Sequence, residues 1–317
     1  MRVRVLYHDH CFDGAASAAF FTRFLSGAIH PGAEFVYTGM AHKASQMFEP
    51  SLFDGDENAI VDFKYSPDPR LTWWFDHHQS AFLTPEDMEH WRQDRSGRKL
   101  YDPAFKSCTA FICHVAREKW SFRAPDLDDL VASANLIDGA QYPDARTAVE
   151  MRAPAMQLTL VIENAKGSEM VQKIIGWMRD YSLAAIMEQP QVQELYRQLY
   201  QRHLRSIETI GKRSRIEGPV VFFDLAGCDM EGYNKFIPYH LYPSSIYTVS
   251  VSQSSFRTKI SVGSNPWAPD APNHNLATIC ERYGGGGHAR VGAISFEPGE
   301  LAKARRVAAE IVEELKS

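Results

Sequence analysis

Cysteine is sparse in this chain: five residues, at positions 11, 108, 113, 228 and 280. No two of them form a CxxC pair, so the usual zinc-knuckle and dithiol redox motifs are absent. An odd, scattered set reads as reduced thiols in a cytoplasmic protein rather than as a disulfide framework. No apolar run approaches the roughly 20 residues of a membrane span. The start, Met1 to Tyr7, carries arginines at 2 and 4 and reads as a short strand, not as a signal peptide. An excess of basic charge is missing too. The formal net charge is −5, which speaks against long duplex DNA or an anionic membrane as the main partner. No internal repeat or low-complexity tract occurs. No Lys-Ser/Thr follows the one long glycine run, which excludes a P-loop.

What remains is an ordinary globular composition, 44% hydrophobic and 23% charged, over 317 residues, enough for two domains with proper cores. Val3 to Tyr7, Ala33 to Thr38, Ala59 to Phe63 and Leu71 to Phe75 read as strands. Ala15 to Leu25 reads as a helix ended by Gly27, with His8 to Gly14 a polar loop before it. Strands alternating with helices predict a mainly parallel sheet flanked by helices. Residues 82 to 100 read as a polar surface excursion. Ser107 to Lys119 and Leu127 to Ile137 read as helices, the second capped by Asp126. Residues 155 to 212 read as mostly helical, with one long connecting helix from Val192 to Ile210. A second α/β domain begins near Glu217-Gly218-Pro219. Its strands are Val220 to Leu225, Ile246 to Gln253, Phe256 to Val262 and Val291 to Phe296; Asn275 to Tyr283 and Pro298 to Lys316 are its helices.

The chemistry gathers at element ends. Asp62 ends one strand, Asp76-His77-His78 ends the next, Asp138 ends a helix, and the first loop holds His8, Asp9, His10 and Asp13. In an open α/β sheet the carboxyl ends of the strands face one crevice, where ligands bind. Mixed Asp and His sets suit Mn²⁺, Fe²⁺ or Zn²⁺, and a two-ion site needs a bridging carboxylate. Asp62, alone at its strand end, is the natural bridge. Each of these residues also has a plain reading as a solvated loop residue or a helix cap; four separate segments carrying the same chemistry weigh against that reading. Cys11 is read as a small buried thiol under the loop, and as a ligand if the metal is soft. Trp73 and Trp74 are read as packing, and Cys108 and Cys113 as core. Farther on, Gly284-Gly285-Gly286-Gly287-His288 with Arg290 lies between a helix and a strand. Glycines let backbone amides approach a phosphate, and the basic groups add donors.

Taken together, His8 to Gly14, Val61-Asp62, Asp76-His77-His78 and Asp138 resemble the motifs of the DHH phosphoesterase superfamily. Gly284 to His288 with Val291-Gly292 resembles the glycine motif of its C-terminal DHHA1 domain. The resemblance implies a DHH domain at 1–185, a helical linker at 186–216 and a smaller DHHA1 substrate-binding domain at 217–317. It implies hydrolysis of phosphoester bonds in short oligonucleotides or small phosphorylated nucleotides, with two Mn²⁺ ions or, in their place, Mg²⁺, Fe²⁺ or Co²⁺. The ligands implied are His8, Asp9, Asp13, Asp62, Asp76, His77 and Asp138, and the catalytic set is Asp62, Asp76 and His78. Substrate contacts fall to His78, Gly285, Gly286, Gly287, His288 and Arg290. Two departures stand out: Cys11 replaces the usual acid of the first motif, and Gly263 stands where an arginine is expected. A polyphosphate or pyrophosphate hydrolase is the alternative enzyme, and a nucleotide-binding sensor with a decayed catalytic site is the alternative outside enzymes. A homodimer is compatible with either.

Overall fold

The computed structural model describes residues 1–41, 48–228, 230 and 232–317. They divide into two compact units, one formed by Met1–Tyr142 and Met151–Leu199, the other by Pro143–Glu150 and Tyr200–Ser317. No helix among the described residues is long and apolar enough to cross a membrane.

The first unit is an α/β layer structure. Its strands are β1 (Arg2–His8), β2 (Glu34–Met40), β3 (Glu57–Val61), β4 (Leu71–Asp76) and β5 (Lys99–Tyr101), all parallel, in the order β2-β1-β3-β4-β5. Its helices are α1 (Phe12–Ala28), α2 (Pro85–Gln93), α3 (Cys108–Trp120) and α4 (Asp128–Asp138), then α6 (Pro154–Asn164), α7 (Glu169–Asp180) and α8 (Leu183–Met187) beyond α5 (Ala145–Glu150), which belongs to the other unit. Alternation along the strands builds two cores. Val3, Val5, Tyr7, Val61, Trp73 and Phe75 face the helices. Leu6, Ile60, Leu71 and Trp74 pack with Phe53, Phe63 and Tyr65 on the opposite face. Trp73 and Trp74 are both fully buried, so the packing reading holds for each. Helix α1 is buried nearly all round, which its run of alanines permits: α3, α4, α6 and α7 all close on it.

In the second unit, β6 (Ser214–Glu217), β7 (Val220–Asp224), β8 (Tyr247–Gln253), β9 (Thr258–Ser264), β10 (Gly286–His288) and β11 (Val291–Phe296) form one mixed sheet, ordered β10-β11-β9-β8-β7-β6. Only the β7–β8 pair is parallel. Helices α11 (Leu276–Glu281) and α12 (Leu301–Glu314) cover one face over a core of Val249, Ile260, Ile294 and Ile311. Helix α10 (Ile237–Leu241) packs on α5. The expected hairpin at Ser254-Ser255 joins β8 to β9.

The long helix α9 (Pro190–Arg213) occupies most of the stretch expected as a linker, and the division between the units falls inside it, after Leu199. Three local expectations are corrected. Helix α1 starts at Phe12, not Ala15, and runs through Gly27. Asp126 does not cap α4: a short 3₁₀ turn, Pro125–Leu127, precedes that helix, and the Asp126 carboxylate accepts from Arg23 instead. The polar stretch 82–100 contains α2 and leads into edge strand β5.

Candidate metal centre

Strand register sets the site. Tyr7 pairs with Val61, and Val61 with Phe75, so these three form one row across the sheet. The next residue of each strand is His8, Asp62 and Asp76. In a parallel sheet that next row lies at a single carboxyl edge. Asp62 leaves β3 with φ 56°, a left-handed backbone that is uncommon for a side-chain-bearing residue and better tolerated by Asp than most. That turn ends β3 at a carboxylate that is 1% exposed.

Asp13 reaches the same edge from the first turn of α1. Its oxygens accept from the Cys108 and Thr109 amides at 2.6 and 3.1 Å and from the Thr109 hydroxyl at 2.6 Å. The amino end of α3 therefore holds this carboxylate, as free helix amides do for anions. Burial, with Asp62 and Asp138 nearby, still raises the Asp13 carboxyl well above its ordinary range. Tight packing at the start of α1 depends on Gly14. A Cβ there would sit 2.1 Å from the His8 carbonyl oxygen. Gly14→Ala is expected to lower stability by about 1–3 kcal/mol, read as a lower midpoint in thermal unfolding of the metal-free protein.

His77 is 9% exposed. Its Nδ1 lies 3.1 Å from the Phe105 carbonyl, so in the neutral ring Nδ1 carries the hydrogen and Nε2 is the lone-pair atom. Nε2 stands 3.4 Å from Asp62, 3.4 Å from Asp138 and 3.7 Å from Asp13. Burial pulls the His77 pKa down, but Asp62 and Asp13 outweigh it and raise it to about 10. Asp62 shows the reciprocal effect: burial would raise it, yet His77, His8 and His78 together hold it below the usual carboxylate range. His8 Nδ1 is 3.5 Å from the other Asp62 oxygen. Neither Asp62 oxygen, nor Nε2 of His77, has a hydrogen-bond partner within normal geometry, although all three atoms are buried.

Among the described residues the donors fall into three overlapping groups: His8 with Cys11 and Asp62; Asp62 with His77 and His78; Asp13 with His77 and Asp138. Asp62 and His77 each belong to two of them. Two residues expected as ligands lie outside all three groups. One Asp9 oxygen accepts from the His10 amide at 2.9 Å and the Tyr7 hydroxyl at 3.3 Å, the other accepts from Ser168, and the carboxylate packs against Gly39. Asp76 organises the turn after β4 with one oxygen, and its Oδ2 is buried without a hydrogen-bond partner, leaving that atom available to an ion. Its Oδ1 accepts from the His77 and His78 amides and lies 2.7 Å from His78 Nδ1. His10 lies against the Ile162 carbonyl, also outside the groups.

Cys11, read as a packing thiol, is brought beside His8 and Asp62. Burial and the Asp62 and Asp13 charges push this thiol well above its ordinary pKa. The signal that could have placed it was its position in the loop, where an acid is usual. The anchors of Asp13 and His77, the Thr109 amide and the Phe105 carbonyl, left no mark in the sequence.

In the second unit, Gly286, Gly287 and His288 form β10, and Arg290 lies in the turn to β11. Gly287 has φ 154°, and a Cβ there would meet the Val291 carbonyl oxygen at 2.2 Å. Gly287 is thus required for close strand pairing, while Gly286 has room for a side chain and His288 and Arg290 are exposed. Gly263 faces the Tyr239 hydroxyl, which a Cβ would approach to 2.6 Å, so a larger residue there requires the tyrosine to shift.

No family model and no curated protein matches the sequence. Solved structures match the fold. The pGpG-specific phosphodiesterase PggH from Vibrio cholerae aligns over 99% of both chains at a TM-score of 0.71 and 17% identity. RecJ from Thermus thermophilus, in complex with Mn²⁺, aligns with 99% of this chain at 0.54 and 14% identity, and this chain covers 52% of RecJ. A DHH domain described as a member of a family of ribosomal proteins aligns at 0.52 and 13% identity, over all of this chain and 87% of its own. The fold of this chain is that of DHH-domain proteins, a parallel five-stranded unit accompanied by a second unit with a mixed sheet.

Proposed function

We propose that the chain is a metal-dependent phosphohydrolase that cleaves a phosphoester bond in a short oligonucleotide or a small phosphorylated nucleotide. The observation that carries this reading is Nε2 of His77, buried without a hydrogen bond amid the carboxylates of Asp13, Asp62 and Asp138 at 3.4–3.7 Å. Those separations are long for charge-assisted hydrogen bonds, which run to about 2.9 Å. They suit co-ligands: two donors held about 2.1 Å from one tetrahedral ion stand about 3.4 Å apart. The donor set therefore fits divalent cations. Asp13, His77 and Asp138 would hold one ion, His8 and Cys11 the other, with Asp62 shared. When bound, such ions bring the pKa of water toward neutrality and offset charge gathering on phosphoryl oxygens.

The protein's own groups do the rest. Phe105 fixes the His77 ring, and the α3 amides fix Asp13, so these donors need no reorganisation. Asp76 orients His78 through Nδ1, leaving Nε2 as the ring's remaining polar atom. Burial lowers the His78 pKa, but Asp76 and Asp62 prevail and raise it, and Nε2 is the atom we assign to a phosphoryl oxygen. His288 and Arg290, exposed on the second unit, are the groups we assign to binding a substrate phosphate. His288→Ala is expected to raise KM about tenfold with kcat nearly unchanged, because its contact is the same in ground and transition states; steady-state kinetics read the split.

The fold shared with PggH makes pGpG the first substrate to test. A cytoplasmic location belongs to this proposal, in keeping with five free cysteines. Chelator-treated protein given back Mn²⁺ should hydrolyse pGpG or other dinucleotides and leave polyphosphate intact. Turnover of polyphosphate alone would move the assignment to the alternative enzyme class. No turnover of any phosphoester, with metal bound, would support the sensor reading instead.

A further inference from the structure

We propose that Cys11 makes one half of this centre a site for a thiophilic divalent ion, Zn²⁺, Fe²⁺ or Co²⁺, while the other half remains a nitrogen and oxygen site. This rests on the reading of Asp62 as the shared ligand of two ions.

Four observations carry it. Nitrogen of His8, sulfur of Cys11 and oxygen of Asp62 all lie within 4.8 Å of one another. The sulfur is not committed to holding the helix. Cys11 is the N-cap residue of α1, yet its side chain makes no capping bond of normal geometry, only a weak approach to the Gly14 amide, and its backbone carbonyl accepts from Ala15. The Asp62 carboxylate is 1% exposed and has neither oxygen hydrogen-bonded. The nearby acid that would otherwise supply oxygen, Asp9, is committed to Tyr7, Ser168 and the His10 amide.

The two halves thus differ in kind. Asp13, His77 and Asp138 offer nitrogen and oxygen, a set that accommodates Mn²⁺ or Mg²⁺. His8, Cys11 and Asp62 resemble the mixed Cys, His and carboxylate sets that take Zn²⁺, and thiolate disfavours the harder ions. Binding there forms a metal–sulfur bond and breaks the S–H bond, with the proton passing to solvent. Cys11 in the place of an acid then changes which metal is held rather than abolishing the site.

The test is a titration of metal-free, full-length protein with Co²⁺ followed by absorption, in the parent and in Cys11→Ser and Cys11→Asp. A thiolate-to-cobalt charge-transfer band in the near ultraviolet is expected for the parent and absent from both variants, while the visible cobalt bands of the other half persist. In Cys11→Ser, Zn²⁺ affinity at one of two sites should fall about 10²-fold. Cys11→Asp should shift preference toward Mn²⁺. Cobalt bound by the parent without the charge-transfer band would overturn the role of Cys11 and leave the metal reading standing. Failure of the parent to bind Co²⁺ at all would overturn both.

Discussion

Replacing Asp62 with Asn is expected to lower phosphoester turnover about 10³-fold or more while the protein still folds. Asp62 is the one residue placed in both the His8-Cys11 group and the His77-His78 group, and its oxygens stand 3.5 Å from His8 and 3.4 Å from His77. Asn keeps the shape but removes the charge and turns one oxygen into a donor. Asp13 and Asp138 still face His77, so the edge of the sheet keeps carboxylates around that ring. The metal-free unfolding midpoint should therefore move by only a few degrees, on the order of 1–2 kcal/mol. The rise in midpoint on adding metal, about 2.7 kcal/mol at a hundredfold excess over Kd, should largely vanish. Parent-like turnover in this variant would remove Asp62 from the chemistry.

Metal affinity is expected to climb about tenfold per pH unit between about pH 6.5 and 9. The cause is His77. Its Nε2 must be unprotonated to bind an ion, yet the surrounding carboxylates overcome burial and raise its pKa to about 10. At neutral pH each ion captured there displaces a proton. The sign for the metal-free protein is opposite. A raised histidine pKa contributes stability that is complete below the unfolded value, about 6.5, and is lost as pH rises through about 10. Asp13, raised by burial and by Asp62 and Asp138, pushes the same way, since its ionisation is disfavoured in the fold. Metal-free protein should thus melt at lower temperature as pH rises from 6.5 to about 9, and protein in excess Mn²⁺ should not. Competition with a chelator of known proton linkage measures the affinity slope. A pH-independent affinity would mean that no proton is displaced from His77.

Much of the centre was legible because parallel sheets put chemistry at one edge. A hydrophobic run ending in Asp62 and another ending in Asp76-His77-His78 were enough to bring those segments together, and register then set them in one row with His8. Orientation within the row was not legible. Asp9 and Asp13 lie four residues apart in one polar segment, and nothing local distinguishes them. Packing of α1 turns Asp13 onto the α3 amides, while Asp9 falls against Gly39 and Ser168. The start of α1 was hidden for a related reason. Cys, Asp and Gly are poor helix formers, and only the close approach of Gly14 to His8 explains a glycine in that first turn. Strands β5, β6 and β10, of three or four residues each, owe their existence to pairing with longer neighbours rather than to any pattern of their own. Asp76 adjoins two histidines and serves twice: its Oδ1 fixes the turn that aims them, while its Oδ2 is buried without a hydrogen-bond partner, as a ligand oxygen would be.

The proposed sharing of Asp62 by two ions is tested most directly by anomalous diffraction from crystals grown with Co²⁺. Two peaks are expected, both in contact with Asp62, one also touching His77 and the other also touching His8 and Cys11. A single peak that avoids Asp62, or none in this unit, would contradict the account.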